Sequence, residues 1–161
     1  MTEYFAQFFS ATILEWKPLL QQEKYKNIII DSLSFLVKDR RVIIYAFIIM
    51  NNHIHFMEGF TKEAVQRDFL KFTAQQIKDG LEKNHPKVMS LFEVNAKDRK
   101  YQIWERNSLS IDLFSEHVFI QKLKYIHQNP VKARLCKFPE EYSYSSAKFY
   151  EIELCDILSD N

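Results

Sequence analysis

The stretch Val42-Ile-Ile-Tyr-Ala-Phe-Ile-Ile-Met50, followed by Asn51-Asn52 and then His53-Ile54-His55-Phe56-Met57-Glu58, decides how this chain is built. A continuous β-branched and aromatic run of this kind suits a central strand buried on both faces. Asn51-Asn52 reads as a two-residue hairpin loop, because asparagine tolerates the positive φ that tight primed turns demand. His53 to Glu58 then returns antiparallel. Successive strand residues point to opposite faces, so His53 and His55 share one side while Ile54 serves the core. Two imidazoles on one face make a metal site plausible. With five histidines in 161 residues, however, such a pair also arises fortuitously or in a purely structural role, and a second element has to decide.

Working outward, Tyr4 to Leu14 is rich in Phe, Tyr, Thr and Ile and reads as a strand, with Pro18 placed for the first turn of a helix. Tyr25, Ile29, Leu33 and Leu36 recur at helical spacing, and the pattern ends at Lys38-Asp39-Arg40-Arg41. Beyond the hairpin, Thr61 is the expected N-cap of a second helix. It carries Val65, Phe69 and Phe72 on one flank and Leu70, Ile77 and Leu81 on the other, and ends before His85-Pro86. Lys100 to Arg106 reads as a short fourth strand, and a third helix starts near Ser115 and stops by Pro130. The order strand, helix, strand, strand, helix, strand predicts an α+β domain: a ferredoxin-like (RRM-like) βαββαβ antiparallel sheet with helices on one face and an added C-terminal helix.

The chain is long enough for one domain to bury a sizeable core, and 47% of its residues are hydrophobic. Two glycines and four prolines supply no linker, so residues 1–150 read as a single domain followed by an acidic tail, 151–161. Glu151, Glu153, Asp156 and Asp160 lie in that tail, leaving the first 150 residues at +5, 22 basic against 17 acidic. This is a weak pointer to a polyanionic partner, since binding nucleic acid needs clustered cations. The longest apolar run is well short of the ~20 residues that span a bilayer, and the start lacks a basic region before an apolar one. Cys136 and Cys155 are too few for a disulfide framework or a four-thiolate zinc site. A cytoplasmic protein is expected.

The third helix supplies the second element. Phe119, Leu123 and Ile126 form its apolar stripe, while Val118, Lys122, Tyr125 and Asn129 fall together on another face. Tyr125 and Asn129 are one turn apart, so phenol and amide can converge on one small site, where Asn129 can add an oxygen ligand to the two imidazoles. Lys122, Lys124, Lys132 and Arg134 supply cations for phosphate. His127 reads as packing or capping, and Trp104, Tyr142, Tyr144 and Phe149 as core or helix-docking residues.

Two segments of this chain resemble the single-tyrosine His-hydrophobe-His (HUH) transposases of insertion sequences, and more closely their REP-associated tyrosine transposase branch. Tyr45-Ala-Phe-Ile-Ile-Met-Asn-Asn-His-Ile-His-Phe-Met57 is similar to the family's strand-turn-strand with its His pair. Tyr125-Ile-His-Gln-Asn-Pro-Val-Lys-Ala-Arg-Leu135, with Pro139-Glu-Glu-Tyr-Ser-Tyr-Ser-Ser-Ala147 behind it, is similar to the segment bearing the catalytic tyrosine. The likeness covers roughly Tyr4 to Tyr150, and two motifs in register are more specific than either alone. It implies that His53, His55 and Asn129 hold a divalent metal, Mg²⁺ or Mn²⁺, and that Tyr125 is the nucleophile. Asn51 stands where the family usually has proline, which keeps the turn feasible. Arg134 stands where glycine is common, which bears on how the helix end meets DNA.

A tyrosine phenol with an ordinary pKa near ~10 is a weak nucleophile at neutral pH unless a charge or a metal assists it. The resemblance accordingly implies a metal-dependent transposase that cleaves and rejoins single-stranded DNA, hairpin-containing as in the family, through a 5′-phosphotyrosine link. Arg40, Arg41, Lys97, Arg99, Lys100 and Arg106 are candidate backbone contacts, in addition to the helix cations. A non-catalytic single-stranded nucleic-acid binding module, a metal-dependent hydrolase with a water nucleophile and a replication-initiator-like nicking enzyme are the rival readings. Oligomeric state stays open: insertion-sequence relatives commonly act as homodimers, and the REP-associated branch includes monomers.

Overall fold

The computed structural model describes residues 6–60 and 64–151. The first described element is strand β1 (Ala6–Thr12), and after a tight turn at Leu14–Trp16 and a short 3-10 turn at Leu19–Gln21 the chain enters helix α1 (Glu23–Lys38). Strands β2 (Val42–Ile49) and β3 (His53–Phe60) follow as a hairpin, then helix α2 (Val65–Asn84) and the short helix α3 (Pro86–Met89). Strand β4 (Leu109–Asp112) and helix α4 (Glu116–Lys132) come next, and a 3-10 turn at Pro139–Glu141 follows them. The four strands form one antiparallel sheet in the order β2-β3-β1-β4, giving an α+β domain.

Alternation along the strands sends each residue set to its own layer. Phe9, Ala11 and Ile13, with Ile54 and Phe56, belong to a large core with Ile29 and Leu33 of α1 and Phe69, Ile77 and Leu81 of α2. Phe8, Ala46, Ile48, Met50 and Met57 point the other way, into a smaller core with Ile126 of α4. Each fully buried Ile, Leu or Phe contributes roughly 1.5–3 kcal/mol. The apolar run in β2 is therefore apolar on both faces because helices cover both. A bulge between Ile44 and Ala46 turns Tyr45 onto Phe119 of α4.

Several expectations change in physically instructive ways. Neither Asn51 nor Asn52 is among the described residues with positive φ, so the hairpin does not use the left-handed geometry that would favour them. Their polar groups anchor the hairpin end instead: the carbonyls of Asn52 and Asn51 accept the N–H groups of Ile13 and Leu20, each at 2.9 Å. Lys100 to Arg106 is not a strand. Tyr101 and Trp104 make single bridges, to Glu93 and Ile13, and the real fourth strand lies further on at Leu109–Asp112. Ile103 and Trp104 are buried, which explains their apolar pattern. Their stretch bonds to the turn after β1, through Leu14 N–H to Ile103 O at 2.8 Å and Glu105 N–H to Thr12 O at 2.8 Å.

Pro18 precedes a separate 3-10 turn instead of opening α1. The proposed N-cap Thr61 and the strand start at Tyr4 lie outside the described residues, as does Cys155. On α2 the buried stripe runs through Val65, Phe69, Thr73, Ile77 and Leu81, and Phe72 is 55% exposed. Thr73 occupies a core position because its Oγ1 accepts the indole N–H of Trp104 at 3.1 Å and donates to Phe69 O at 2.8 Å. Phe149 is exposed rather than docked, whereas Tyr142 donates to Ile49 O at 2.7 Å and Tyr144 bonds Asn27 at 3.0 Å. No helix among the described residues is long and apolar enough to cross a membrane.

Helix α4 runs past Pro130 to Lys132. A proline in the last turn removes one N–H bond, yet the turn closes through a Schellman pattern. Leu135 N–H reaches Pro130 O at 2.9 Å and Arg134 N–H reaches Val131 O at 3.0 Å, with Arg134 at φ 60°. At the other end Ser115 is the N-cap, its Oγ accepting Val118 N–H at 3.2 Å.

Candidate active site

His53 and His55 project from β3 towards α4, with ring centroids 4.9 Å apart. Each imidazole is held through its Nδ1. His53 Nδ1 lies 2.7 Å from Asn52 Oδ1, an acceptor, so Nδ1 carries the proton and Nε2 presents a lone pair. His55 Nδ1 lies 2.6 Å from Ser10 Oγ, directly across the β1–β3 ladder. His55 Nε2 is buried and has no hydrogen-bond partner among the described residues. Buried polar atoms are rarely left so, and a ring fixed at Nδ1 with a bare Nε2 is the usual preparation of a histidine metal ligand.

Electrostatics agree with that role. Burial holds the His53 pKa below its ordinary value, partly offset by the Asn129 hydrogen bond. Burial, together with the neighbouring His53 and the Lys122 ammonium, pushes His55 down to about 3. Both imidazoles are therefore neutral at neutral pH, the form that binds metal.

Helix α4 brings the remaining groups. Asn129 Nδ2 lies 3.5 Å from His53 Nε2, so the amide reaches the imidazole nitrogen that faces the site. Tyr125 stands edge-on to His55 at 5.4 Å and to Phe8 at 6.0 Å, and is 43% exposed, so a substrate can approach its hydroxyl. Lys122 places its ammonium 4.8 Å from the Phe8 ring centre and 5.6 Å from that of Tyr125. All of these groups belong to one chain. Among the described residues no cluster of three or more His, Cys, Asp or Glu side chains forms, so the candidate metal donors are two imidazoles and an amide whose oxygen is available after a flip. The residues present fit a divalent cation with open coordination positions.

The predicted cations fall into separate groups. Lys122 is in the site. Lys124 is exposed on α4, and Lys132 and Arg134 are at its C-terminal end. Lys97, Arg99, Lys100 and Arg106 lie on the irregular stretch before β4, where Arg99 and Arg106 contact Asp98 at 2.8 and 3.2 Å. Arg40 and Arg41 occupy the α1–β2 turn, with Arg41 paired to Asp68 at 3.1 Å. His127 lies away from the histidine pair, 2.8 Å from Ser146 Oγ. Sequence reasoning missed Ser10 and Phe8, whose only available signal was strand alternation in β1, and Trp16, whose indole stands edge-on to His53 at 5.8 Å.

Neither a protein-family model nor a curated protein matches the chain. Among solved structures, a REP-associated tyrosine transposase bound to a REP hairpin superposes with a TM-score of 0.65. The match is at 16% sequence identity and covers 92% of this chain and 84% of that one. A candidate transposase from Deinococcus radiodurans R1 gives a TM-score of 0.48 at 17% identity, covering 78% of this chain and 91% of that one. The antiparallel α+β domain that carries His53, His55 and Tyr125 therefore has the fold of a REP-associated tyrosine transposase.

Proposed function

We propose that this protein is a divalent-metal-dependent strand transferase acting on single-stranded DNA beside a hairpin. The observation that carries the reading is the convergence of Tyr125 and Asn129, from α4, on the histidine pair of β3, with one imidazole nitrogen bare. The sheet order β2-β3-β1-β4 is that of a ferredoxin-like βαββαβ domain, and α4 is then the added helix bearing the tyrosine.

In this reading His53, His55 and the Asn129 amide oxygen hold Mg²⁺ or Mn²⁺. Bound there, the cation would neutralise charge on the scissile phosphate and orient it for in-line attack. The Tyr125 hydroxyl attacks phosphorus, its proton leaving to solvent. A phosphotyrosine bond to the 5′ side forms as the bond to the 3′ oxygen breaks, and that oxygen departs as a free 3′-hydroxyl after taking up a proton. The phosphoester is conserved, so the reverse attack by a 3′-hydroxyl rejoins strands without a nucleotide cofactor. Lys122 adds positive potential beside the tyrosine, and Asn52 and Ser10 keep both imidazoles oriented. Because the tyrosine meets the histidines of its own chain, a monomer holds a complete site.

The test is incubation with labelled hairpin oligonucleotides and Mn²⁺, followed by denaturing electrophoresis. A protein–DNA adduct absent in Tyr125→Phe and in chelator is expected. Cleavage that persists in Tyr125→Phe would favour a water nucleophile, and binding without any adduct a non-catalytic module.

A further inference from the structure

We propose that Trp16 is a stacking platform for the base next to the scissile phosphate, an inference that rests on the single-stranded DNA reading above. Glu15 and Trp16 both have left-handed backbone, at φ 54° and φ 57°. Two consecutive left-handed positions occupied by glutamate and tryptophan are unfavourable for L-residues, and a bulky residue there is a genuine outlier. Such strain persists where the surroundings over-determine it. Here they do: Trp16 N–H bonds Ile13 O at 2.9 Å, Glu15 N–H bonds Glu105 Oε1 at 2.6 Å, and the Asn52 amide reaches Trp16 O at 3.4 Å.

Core packing does not account for the tryptophan, because it is 60% exposed. A glycine would hold the same backbone without strain. What the conformation achieves is placement: the indole stands 5.8 Å from the His53 ring, at an interplanar angle of 62°. Phe8 and Tyr125 flank His55, so aromatic rings stand on both sides of the histidine pair. Phe8 is buried, which leaves Trp16 as the large exposed ring beside His53. A phosphate seated at the pair carries nucleosides on either side, and an exposed indole offers a π-face to one of them with little sequence preference.

The experiment titrates the full-length protein, in chelator so that no cleavage occurs, with a DNA hairpin carrying a single-stranded flank, and repeats the titration with single abasic sites walked along that flank. Trp104 is buried, so quenching of tryptophan emission by the oligonucleotide should report Trp16 and vanish in Trp16→Phe. Trp16→Leu is expected to weaken binding roughly 5- to 100-fold, with Trp16→Phe recovering most of it. At one abasic position the penalty of Trp16→Leu should disappear. Equal affinity of Trp16→Leu and wild type, equal losses in Trp16→Leu and Trp16→Phe, or additive effects at every abasic position would each overturn the platform. With Mn²⁺, adduct formation by Trp16→Leu at wild-type KM overturns the platform alone. Absence of adduct from wild type, with quenching and the abasic pattern intact, overturns the transferase reading and leaves Trp16 standing as a base-stacking platform beside the histidine pair.

Discussion

Arg134→Gly should stabilise the protein and, under the proposed function, weaken its hold on DNA. Arg134 is the first residue beyond the cap of α4, in left-handed conformation at φ 60°, and its N–H and that of Leu135 close the helix end. A side chain in that conformation costs roughly 1–2 kcal/mol, which glycine avoids. Glycine returns roughly 0.5–1 kcal/mol of that through its freer unfolded chain. Removing a cation from a helix C-terminus subtracts about 0.3 kcal/mol more, and the exposed side chain has no hydrogen bond or ion pair among the described residues to lose. The net is a gain of about 0.5 kcal/mol, read as an increase in urea midpoint at unchanged slope. If Arg134 also meets phosphate, the same substitution lowers the salt slope of hairpin binding by about one unit, and Arg134→Lys preserves the slope without the stability gain. A drop in stability for Arg134→Gly would refute the strain argument, and an unchanged salt slope would refute the phosphate contact.

Under the proposed function, Ser10→Ala should leave the fold intact and weaken Mn²⁺ binding roughly 10- to 100-fold by isothermal titration, because the His55 ring loses the partner that orients it. Thr73→Val strands the Trp104 indole N–H in the core and should cost about 1–3 kcal/mol in denaturant unfolding, although valine matches the volume. Glu58 is buried, and burial raises its carboxyl from 4.5 to about 7 against the opposing Gln66 hydrogen bond. The folded pKa lies above the ordinary one, so the stabilisation is complete below the ordinary value and is lost as pH rises through 7. Glu58→Gln should flatten that dependence and gain on the order of 3 kcal/mol or less above pH 7, and a parallel pH–stability curve for the variant would sink the assignment.

Local pattern was enough to read the β2–β3 hairpin, α1 and the two faces of α4. A buried strand covered on both sides has to be apolar throughout, and a helix between core and site has to carry two distinct stripes, as Ile126 and Tyr125 do. The pairing of His53 with His55, and of Tyr125 with Asn129, follows from periods of two and about 3.6 along one element each. That α4 lies against the sheet face of those histidines, within the same chain, came from the tertiary structure, since nothing local specifies which sheet face a helix covers.

The same limit hid β4, an edge strand of four mostly exposed residues, too short for the alternation Leu109-Ser110-Ile111-Asp112 to stand out, and let the buried Ile103 and Trp104 mimic it. Ser10 became a site residue only through the register that sets it opposite His55, a property of two strands that neither encodes alone. Trp16 was the least legible, because a left-handed backbone in a non-glycine residue is imposed by the contacts around it. Sequence by itself determined which side chains share a face of each element; the packing of those elements decided which faces meet, because that choice depends on contacts between residues far apart in the chain.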